Sequence, residues 1–145
     1  MPELIQDHEW EPGAGPRVLV EALEWGRREH AAAVLREHGY DTVTCPGPEG
    51  AGQRCRLAAG EGCAAAENVD VVVHALRPWD PRNVEALRAL RRRLPDLRVV
   101  VEVASPEAAR QKVDLEGCVV LEAPASPAEL LEAVSRAFGH EPGDR

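Results

Sequence analysis

Three cysteines stand close together in one glycine- and proline-rich segment, and their thiols are the most distinctive chemical groups of the chain. Cys45, Cys55 and Cys63 are separated by nine and seven residues, without a C-x-x-C pair. Thiolates bind zinc and iron–sulfur clusters, and such ligation can stabilise a segment with little core of its own. The spacing leaves three interpretations open: a metal site, an oxidisable thiol pair, or separate small buried side chains.

A histidine, His74, ends the most strongly β-branched run of the sequence, residues 70–74. At the end of a buried strand, an imidazole could serve as a pH-sensitive group, a metal ligand or a phosphohistidine. The alternative is a buried histidine that forms a hydrogen bond with the backbone or with Glu21. Contact with Glu21 is expected because the strands that carry the two residues are predicted to be neighbours.

The elements that must position these side chains are five short apolar runs that alternate with helical stretches. Strands are predicted at residues 17–21, 41–45, 70–74, 97–103 and 118–121. Helices are predicted at about residues 26–38, after the cap residues Asp80, Ser105 and Ser126, and weakly between residues 54 and 66. This alternation is typical of an α/β fold with a five-stranded parallel sheet and helices on both faces. The favoured strand order is 2-1-3-4-5, which places the working edge at the carboxyl ends of the strands.

Length and composition limit the organisation and the class of the protein. The 145 residues suffice for one domain, and we predict a flexible arm at residues 1–16, a domain at 17–139 and a tail at 140–145. Whether Trp10 in the arm packs on the domain stays open. A net charge of −8 and 3% aromatic residues argue against binding to nucleic acid. No apolar run is long enough for a membrane span and no secretory signal is visible, so we expect a cytoplasmic protein.

One cluster of basic residues runs against this acidic character. Arg88, Arg91, Arg92 and Arg93 fall in the predicted third helix. The simplest interpretation is a solvated helix face whose positive charge suits the carboxyl end of the helix dipole. An acidic protein partner or nucleic acid are the alternatives.

Three segments resemble the response-regulator receiver domain: residues 17–21, residues 33–43 and residues 123–131. The resemblance extends over residues 17–139 and implies a flavodoxin-like three-layer fold. Receivers hold magnesium on an acidic pair after the first strand and phosphorylate an aspartate after the third. A hydroxyl after the fourth strand and a lysine after the fifth complete a site that offsets the phosphoryl charge.

Aligned by this resemblance, the chain departs from the receiver pattern at each of these positions. Ala22 and Leu23 occupy the acidic positions, flanked by Glu21 and Glu24, and His74 or Ala75 stands at the phosphoacceptor. Val103 or Ala104 stands at the position of the hydroxyl residue, with Ser105 just beyond it. Ala123 stands at the position of the lysine. The resemblance therefore implies a degenerate phosphorylation pocket formed by Glu21, Glu24, His74, Ser105 and Ala123.

These observations predict a stand-alone pseudo-receiver that is not phosphorylated, is not an enzyme, and works by protein–protein interaction in signalling or regulation. The resemblance implies a protein partner, and a homodimer through the fourth helix, fifth strand and fifth helix. No cofactor is expected for this scaffold. The alternative hypothesis is a metal-binding or thiol redox sensor, with zinc or an iron–sulfur cluster on Cys45, Cys55 and Cys63.

Overall fold

A computed structural model describes residues 5–13, 15–50 and 55–139. Its centre is a parallel sheet of five strands in the order β2-β1-β3-β4-β5. The strands are β1 (Arg17–Glu21), β2 (Asp41–Cys45), β3 (Val71–His74), β4 (Arg98–Val103) and β5 (Val119–Glu122). The predicted fold class and strand order are confirmed, and each predicted strand lies within one residue of its observed bounds.

Three of the five described helices, those that follow Asp80, Ser105 and Ser126, begin at the predicted side-chain caps. They are α1 (Trp25–Glu37), α2 (Ala64–Glu67), α3 (Pro81–Arg93), α4 (Pro106–Ala109) and α5 (Pro127–Ala137), and a 3₁₀ turn spans Ile5–Asp7. The Asp80 carboxylate accepts from the Arg82 amide at 2.9 Å at the start of α3. Ser126 and Glu129 form the reciprocal capping box of α5, at 2.9 and 3.1 Å.

Two of the five helices, α2 and α4, are single turns of four residues. The weak helix predicted between residues 54 and 66 is wrong in its extent, since residues 55–63 are a loop and α2 begins only at Ala64. Gly60 explains the difference, because its φ of +81° ends the preceding turn in a conformation that interrupts a helix. Residue 54 lies outside the described part of the chain.

The strands alternate their side chains between two packed faces. One face packs β1, β3 and β4 against α1 and α5 through residues that include Val18, Val20, Val71, Val73, Val100, Leu35 and Val134. The opposite face divides into two clusters. Leu19 and Val72 pack with Trp10 and Leu90, while Val99, Val101 and Val103 pack with Leu87, Val113 and Leu115.

The described residues of the predicted N-terminal arm lie against the domain. The Trp10 side chain is 7% exposed, and its indole N–H donates to the carbonyl of Ala65 at 3.0 Å. Ile5 packs on the same apolar cluster. The segment and the single turn of α2 together cover the face of the sheet to which Leu19 and Val72 belong. The division of the chain at residue 17 stays a prediction, and the tail at 140–145 lies outside the described residues.

Candidate functional site

A buried acid–imidazole pair lies at the carboxyl ends of β1 and β3. The register of the two strands sets Glu21 directly opposite His74, and Glu21 Oε1 lies 2.8 Å from His74 Nδ1. The side chains are 6% and 4% exposed, respectively. When Glu21 is ionised its oxygen can only accept, so Nδ1 is the donor. The predicted contact between the two residues is confirmed.

The other residues of the predicted degenerate pocket do not join this pair. Glu24 and Ala123 line a separate cavity of about 460 Å³ between α1 and the start of α5. Ser105 is exposed, and its hydroxyl accepts from the Ala108 amide at 3.3 Å as the cap of α4. The wall of the cavity includes Glu102, which pairs with Arg27 at 2.8 Å. The positions implied by the resemblance are thus divided among three environments.

Arg28 is a site residue that the sequence did not reveal. Its guanidinium donates to the carbonyl oxygens of Ala22 and Leu23, at 3.1 and 2.7 Å. These are the two positions where the resemblance expects metal-binding acids. The Arg28 side chain of α1 therefore holds the β1–α1 loop by hydrogen bonds to the loop backbone. No spacing rule predicts such a contact, because a surface helix carries many arginines and only the fold shows where each side chain turns.

A second polar network, also missed from the sequence, ties the loop after β2 to the start of α3. The Glu49 side chain is 3% exposed and forms an ion pair with Arg77. The same carboxylate accepts from Asn83 Nδ2 at 2.6 Å, and Asn83 is fully buried. Glu49 lies among glycine and proline residues, a composition that does not predict a buried charge. The network fixes two neighbouring loops at the carboxyl edge of the sheet.

Cys45, Cys55 and Cys63 line one small cavity of about 30 Å³ together with Glu21. Burial raises the pKa of the Cys45 thiol from 9.0 to about 12, and the nearby Glu21 carboxylate adds to the effect. Burial also raises the pKa of Cys55 and of Cys63. All four cysteines of the chain are free thiols. The raised pKa values favour the protonated thiols at neutral pH, and a thiol is a weaker nucleophile than a thiolate.

No metal centre is apparent in the part of the chain that the structure describes. Among the described residues, no three His, Cys, Asp or Glu side chains are placed so that together they could hold a metal ion. The cysteines thus share an apolar wall without forming a ligand set. The sequence predicted their proximity but could not show the direction of each thiol.

Exposed apolar side chains concentrate at the same edge of the sheet. Leu23, Trp25 and Trp79 are 37%, 69% and 64% exposed. Leu23 lies in the β1–α1 connection, Trp25 is the first residue of α1, and Trp79 lies in the β3–α3 connection. We call these three residues the tryptophan edge. The Arg77 guanidinium lies 5.8 Å from the centre of the Trp79 ring and orients it by a cation–π contact. Aromatic side chains such as tryptophan are enriched at protein–protein interfaces, so two exposed tryptophans at one edge indicate a contact surface.

Most of the basic residues of α3 form hydrogen bonds or ion pairs within the domain. Arg91 donates to the carbonyl oxygens of Asp114 and Glu116, each at 2.7 Å, and so fastens the loop that leads into β5. Arg93 pairs with Glu67 of α2 at 2.8 Å. These contacts agree with a structural role for the cluster rather than a free basic surface.

Comparison with known proteins identifies the fold through structure alone, since no family model and no curated protein matches the chain. The chemotaxis protein CheY4 of Vibrio cholerae is 20% identical, with a TM-score of 0.65 over 86% of this chain and 99% of that one. A CheY-like receiver domain protein of Methanospirillum hungatei is 18% identical, with a TM-score of 0.62 over 86% and 94%. The response regulator TrrA of Thermotoga maritima, solved with Mg²⁺ and BeF, is 20% identical, with a TM-score of 0.61 over 84% and 98%.

Among the described residues, no helix combines the length and apolar character of a membrane span. The similar structures share the strand order and the placement of helices on both faces of the sheet. With its β2-β1-β3-β4-β5 sheet and these neighbours, the chain has the fold of a CheY-like response-regulator receiver domain.

Proposed function

We propose that this protein is a pseudo-receiver, a receiver scaffold that accepts no phosphoryl group and acts in signalling by binding another protein. The observation that carries the proposal is the buried Glu21–His74 pair. It occupies the end of β3, where the resemblance places the phosphoacceptor. An acyl phosphate needs a carboxylate that is open to the phosphodonor, and here the position holds a buried imidazole.

The surroundings of the pair support the same conclusion. Receiver phosphorylation depends on a metal and an ammonium group that offset the charge of the transferred phosphoryl group. Here the guanidinium of Arg28 is bound to the carbonyl oxygens of Ala22 and Leu23, and Ala123 brings no ammonium group. Phosphorylation of His74 itself would need an imidazole nitrogen open to solvent, whereas the side chain is 4% exposed and its Nδ1 is engaged.

The tryptophan edge is the proposed contact surface for the protein partner. Tryptophan is enriched among the residues that dominate binding energy at interfaces, and removing one such anchor costs about 2 kcal/mol or more. Trp25 begins α1 directly after the loop that Arg28 holds, and Arg77 stacks on the Trp79 ring, so a partner would meet a preorganised surface. The fourth-helix, fifth-strand and fifth-helix face remains the predicted homodimer contact, although α4 contributes only one turn there.

The proposal is tested by partner binding with and without a phosphodonor. The wild-type chain is used to isolate a partner from its own cell, and the affinity of the purified pair is measured by calorimetry. We expect the double variant Trp25→Ala/Trp79→Ala to weaken binding at least about tenfold, and acetyl phosphate with Mg²⁺ to leave it unchanged. Asp96→Ala, at an exposed position in the loop between α3 and β4, is the matched surface control. Binding that requires the phosphodonor would contradict the proposal.

The remaining assignments belong to the same proposal. The protein is proposed to lack enzymatic activity and to work in the cytoplasm, without a cofactor. The alternative, a metal or redox sensor on Cys45, Cys55 and Cys63, has no supporting arrangement in the described residues. Zinc or an iron–sulfur cluster therefore stays a prediction, to be tested by elemental analysis of protein purified anaerobically without a chelator.

A further inference from the structure

A buried carboxylate stands behind the exposed tryptophan of the β3–α3 connection. The Glu49 side chain is 3% exposed, although it belongs to the loop after β2. Its carboxylate binds the Arg77 guanidinium through both oxygens: Arg77 Nε lies 3.2 Å from Oε1, and Arg77 Nη2 pairs with Oε2. Two parallel hydrogen bonds of this kind fix the plane of a guanidinium as well as its position.

The fixed guanidinium in turn supports the Trp79 ring. The Arg77 Cζ atom lies 5.8 Å from the centre of that ring, within the range of a cation–π contact. Arg77 is half-exposed and Trp79 is exposed, so each has solvent on one side. Glu49 is the buried member of the three, and its position therefore decides where the other two side chains rest.

The backbone that carries Trp79 is held from the same point. The Asn83 side chain is fully buried, and its Nδ2 group donates to Glu49 Oε1 at 2.6 Å and to the Arg77 carbonyl at 3.0 Å. The Asp80 amide also donates to the Arg77 carbonyl, at 3.4 Å, which closes a four-residue turn with Trp79 at its third position. Both the backbone and the ring of Trp79 are thus positioned through Arg77, which Glu49 and Asn83 hold.

We propose that Glu49 is a positioning residue of the tryptophan edge, which acts through Arg77 to hold the Trp79 ring in the orientation that a partner meets. Its own side chain is buried and offers a partner almost no surface. A side chain that is already ordered costs less to immobilise on binding, a difference of about two- to tenfold in affinity. The inference rests on the proposed function for the role of the edge, whereas the positioning of Trp79 can be measured without a partner.

Arg27 and Glu102 provide a matched control at the same edge of the sheet. Their side chains are 41% and 11% exposed and lie 2.8 Å apart, so this pair also joins a half-exposed guanidinium to a largely buried carboxylate. Neither residue belongs to the turn that carries Trp79. Glu102→Gln therefore removes a comparable ion pair without changing the support of Trp79.

The test is the order parameter of each tryptophan indole N–H, measured by ¹⁵N relaxation on the full chain. The chain contains three tryptophans, and substitution of one at a time assigns their signals. In Glu49→Gln we expect the order parameter of Trp79 to fall by about 0.2 or more, as between a rigid and a mobile site. Trp10, whose indole N–H donates to the Ala65 carbonyl, should stay unchanged. Glu102→Gln should leave the Trp79 value as in the wild type.

Arg77→Lys gives a second route to the same result. Lysine keeps the positive charge but lacks the planar fork that binds a carboxylate through two nitrogens. Because the Arg77 side chain is half-exposed, this variant keeps the test decisive even if Glu49→Gln fails to fold. The Trp79 order parameter should fall in this variant as well, with Trp10 unchanged.

Two results of the relaxation measurement would overturn the proposal. Unchanged Trp79 order parameters in both Glu49→Gln and Arg77→Lys would show that the ring is held by other means. An equal fall in Glu102→Gln would show that Trp79 responds to the loss of any ion pair at this edge, so that Glu49 has no special role.

Partner binding separates this inference from the proposed function. Where a partner depends on the tryptophan edge, Glu49→Gln should weaken its binding by about two- to tenfold, and an unchanged affinity would overturn the role of Glu49. Binding that survives Trp25→Ala/Trp79→Ala would contradict the proposed contact surface alone, because the order parameter tests the positioning of Trp79 without a partner.

Discussion

Removal of one member of the Glu21–His74 pair is predicted to destabilise the protein far more than removal of both. The two side chains are 6% and 4% exposed, and they are joined by a contact of 2.8 Å. His74→Leu leaves the Glu21 carboxylate buried without its imidazole partner, and Glu21→Leu leaves the imidazole without its acceptor. Breaking a buried pair in this way costs about 3–5 kcal/mol.

The double variant Glu21→Leu/His74→Leu leaves no uncompensated group. For buried ion pairs, replacement by packed apolar side chains is often neutral or even stabilising, by about 1–4 kcal/mol, and we expect the same direction for this acid–imidazole pair. Each single variant should therefore be several kcal/mol less stable than the double variant. Glu21→Gln, which retains an oxygen acceptor at the same position, should lie between the wild type and Glu21→Leu.

The assay is urea unfolding of the four variants and the wild type, followed by circular dichroism. The midpoints should shift while the dependence of unfolding free energy on urea stays constant, as expected when only stability changes. The double-mutant cycle then gives the coupling energy of the pair. Single variants that each cost less than about 1 kcal/mol, with a coupling energy near zero, would refute the reasoning, because the pair would then behave as a solvated surface contact.

Three further predictions concern other contacts of the fold. Between about pH 8 and about pH 10, the folded state keeps Cys45 protonated while the unfolded state, at its ordinary pKa of 9.0, loses the proton. Stability should thus fall by about 1.4 kcal/mol across this interval, and urea unfolding of Cys45→Ala should lack that part of the loss. Ser126→Ala removes the cap of α5 and should lower the free energy of unfolding by about 1 kcal/mol, measured by thermal unfolding. An unchanged midpoint would contradict the capping box. Arg91→Ala removes two hydrogen bonds to the loop before β5 and should increase amide hydrogen exchange at residues 114–118, whereas Arg88→Ala should leave that exchange unchanged.

The fold could be predicted from the sequence because its local signals agree with one another. The β-branched runs give each strand to within one residue, and Asp80, Ser105 and Ser126 each begin a helix by the expected side-chain cap. A parallel α/β series then leaves few topologies open. The extent of α2 could not be predicted in the same way, since the alanines at residues 58–59 and 64–66 favour a helix while Gly60 interrupts it.

The candidate site was predictable only where the sheet register decides it. Glu21 and His74 end neighbouring strands, so their contact follows from the strand order. The contacts of Arg28 and Glu49 depend instead on how loops fold over the sheet edge. Likewise, the packing of Trp10 depends on how thinly the single turn of α2 covers the sheet, which only the assembled structure shows.

The most direct test of the pseudo-receiver proposal is the intact mass of the protein after incubation with acetyl phosphate and Mg²⁺. The response regulator TrrA, a similar fold solved with Mg²⁺ and BeF, is incubated under the same conditions for comparison. With His74 buried against Glu21 and Arg28 bound to the β1–α1 loop, we predict an unchanged mass for this protein. A stoichiometric gain of one phosphoryl group, mapped to a residue at the carboxyl edge of the sheet, would contradict the account.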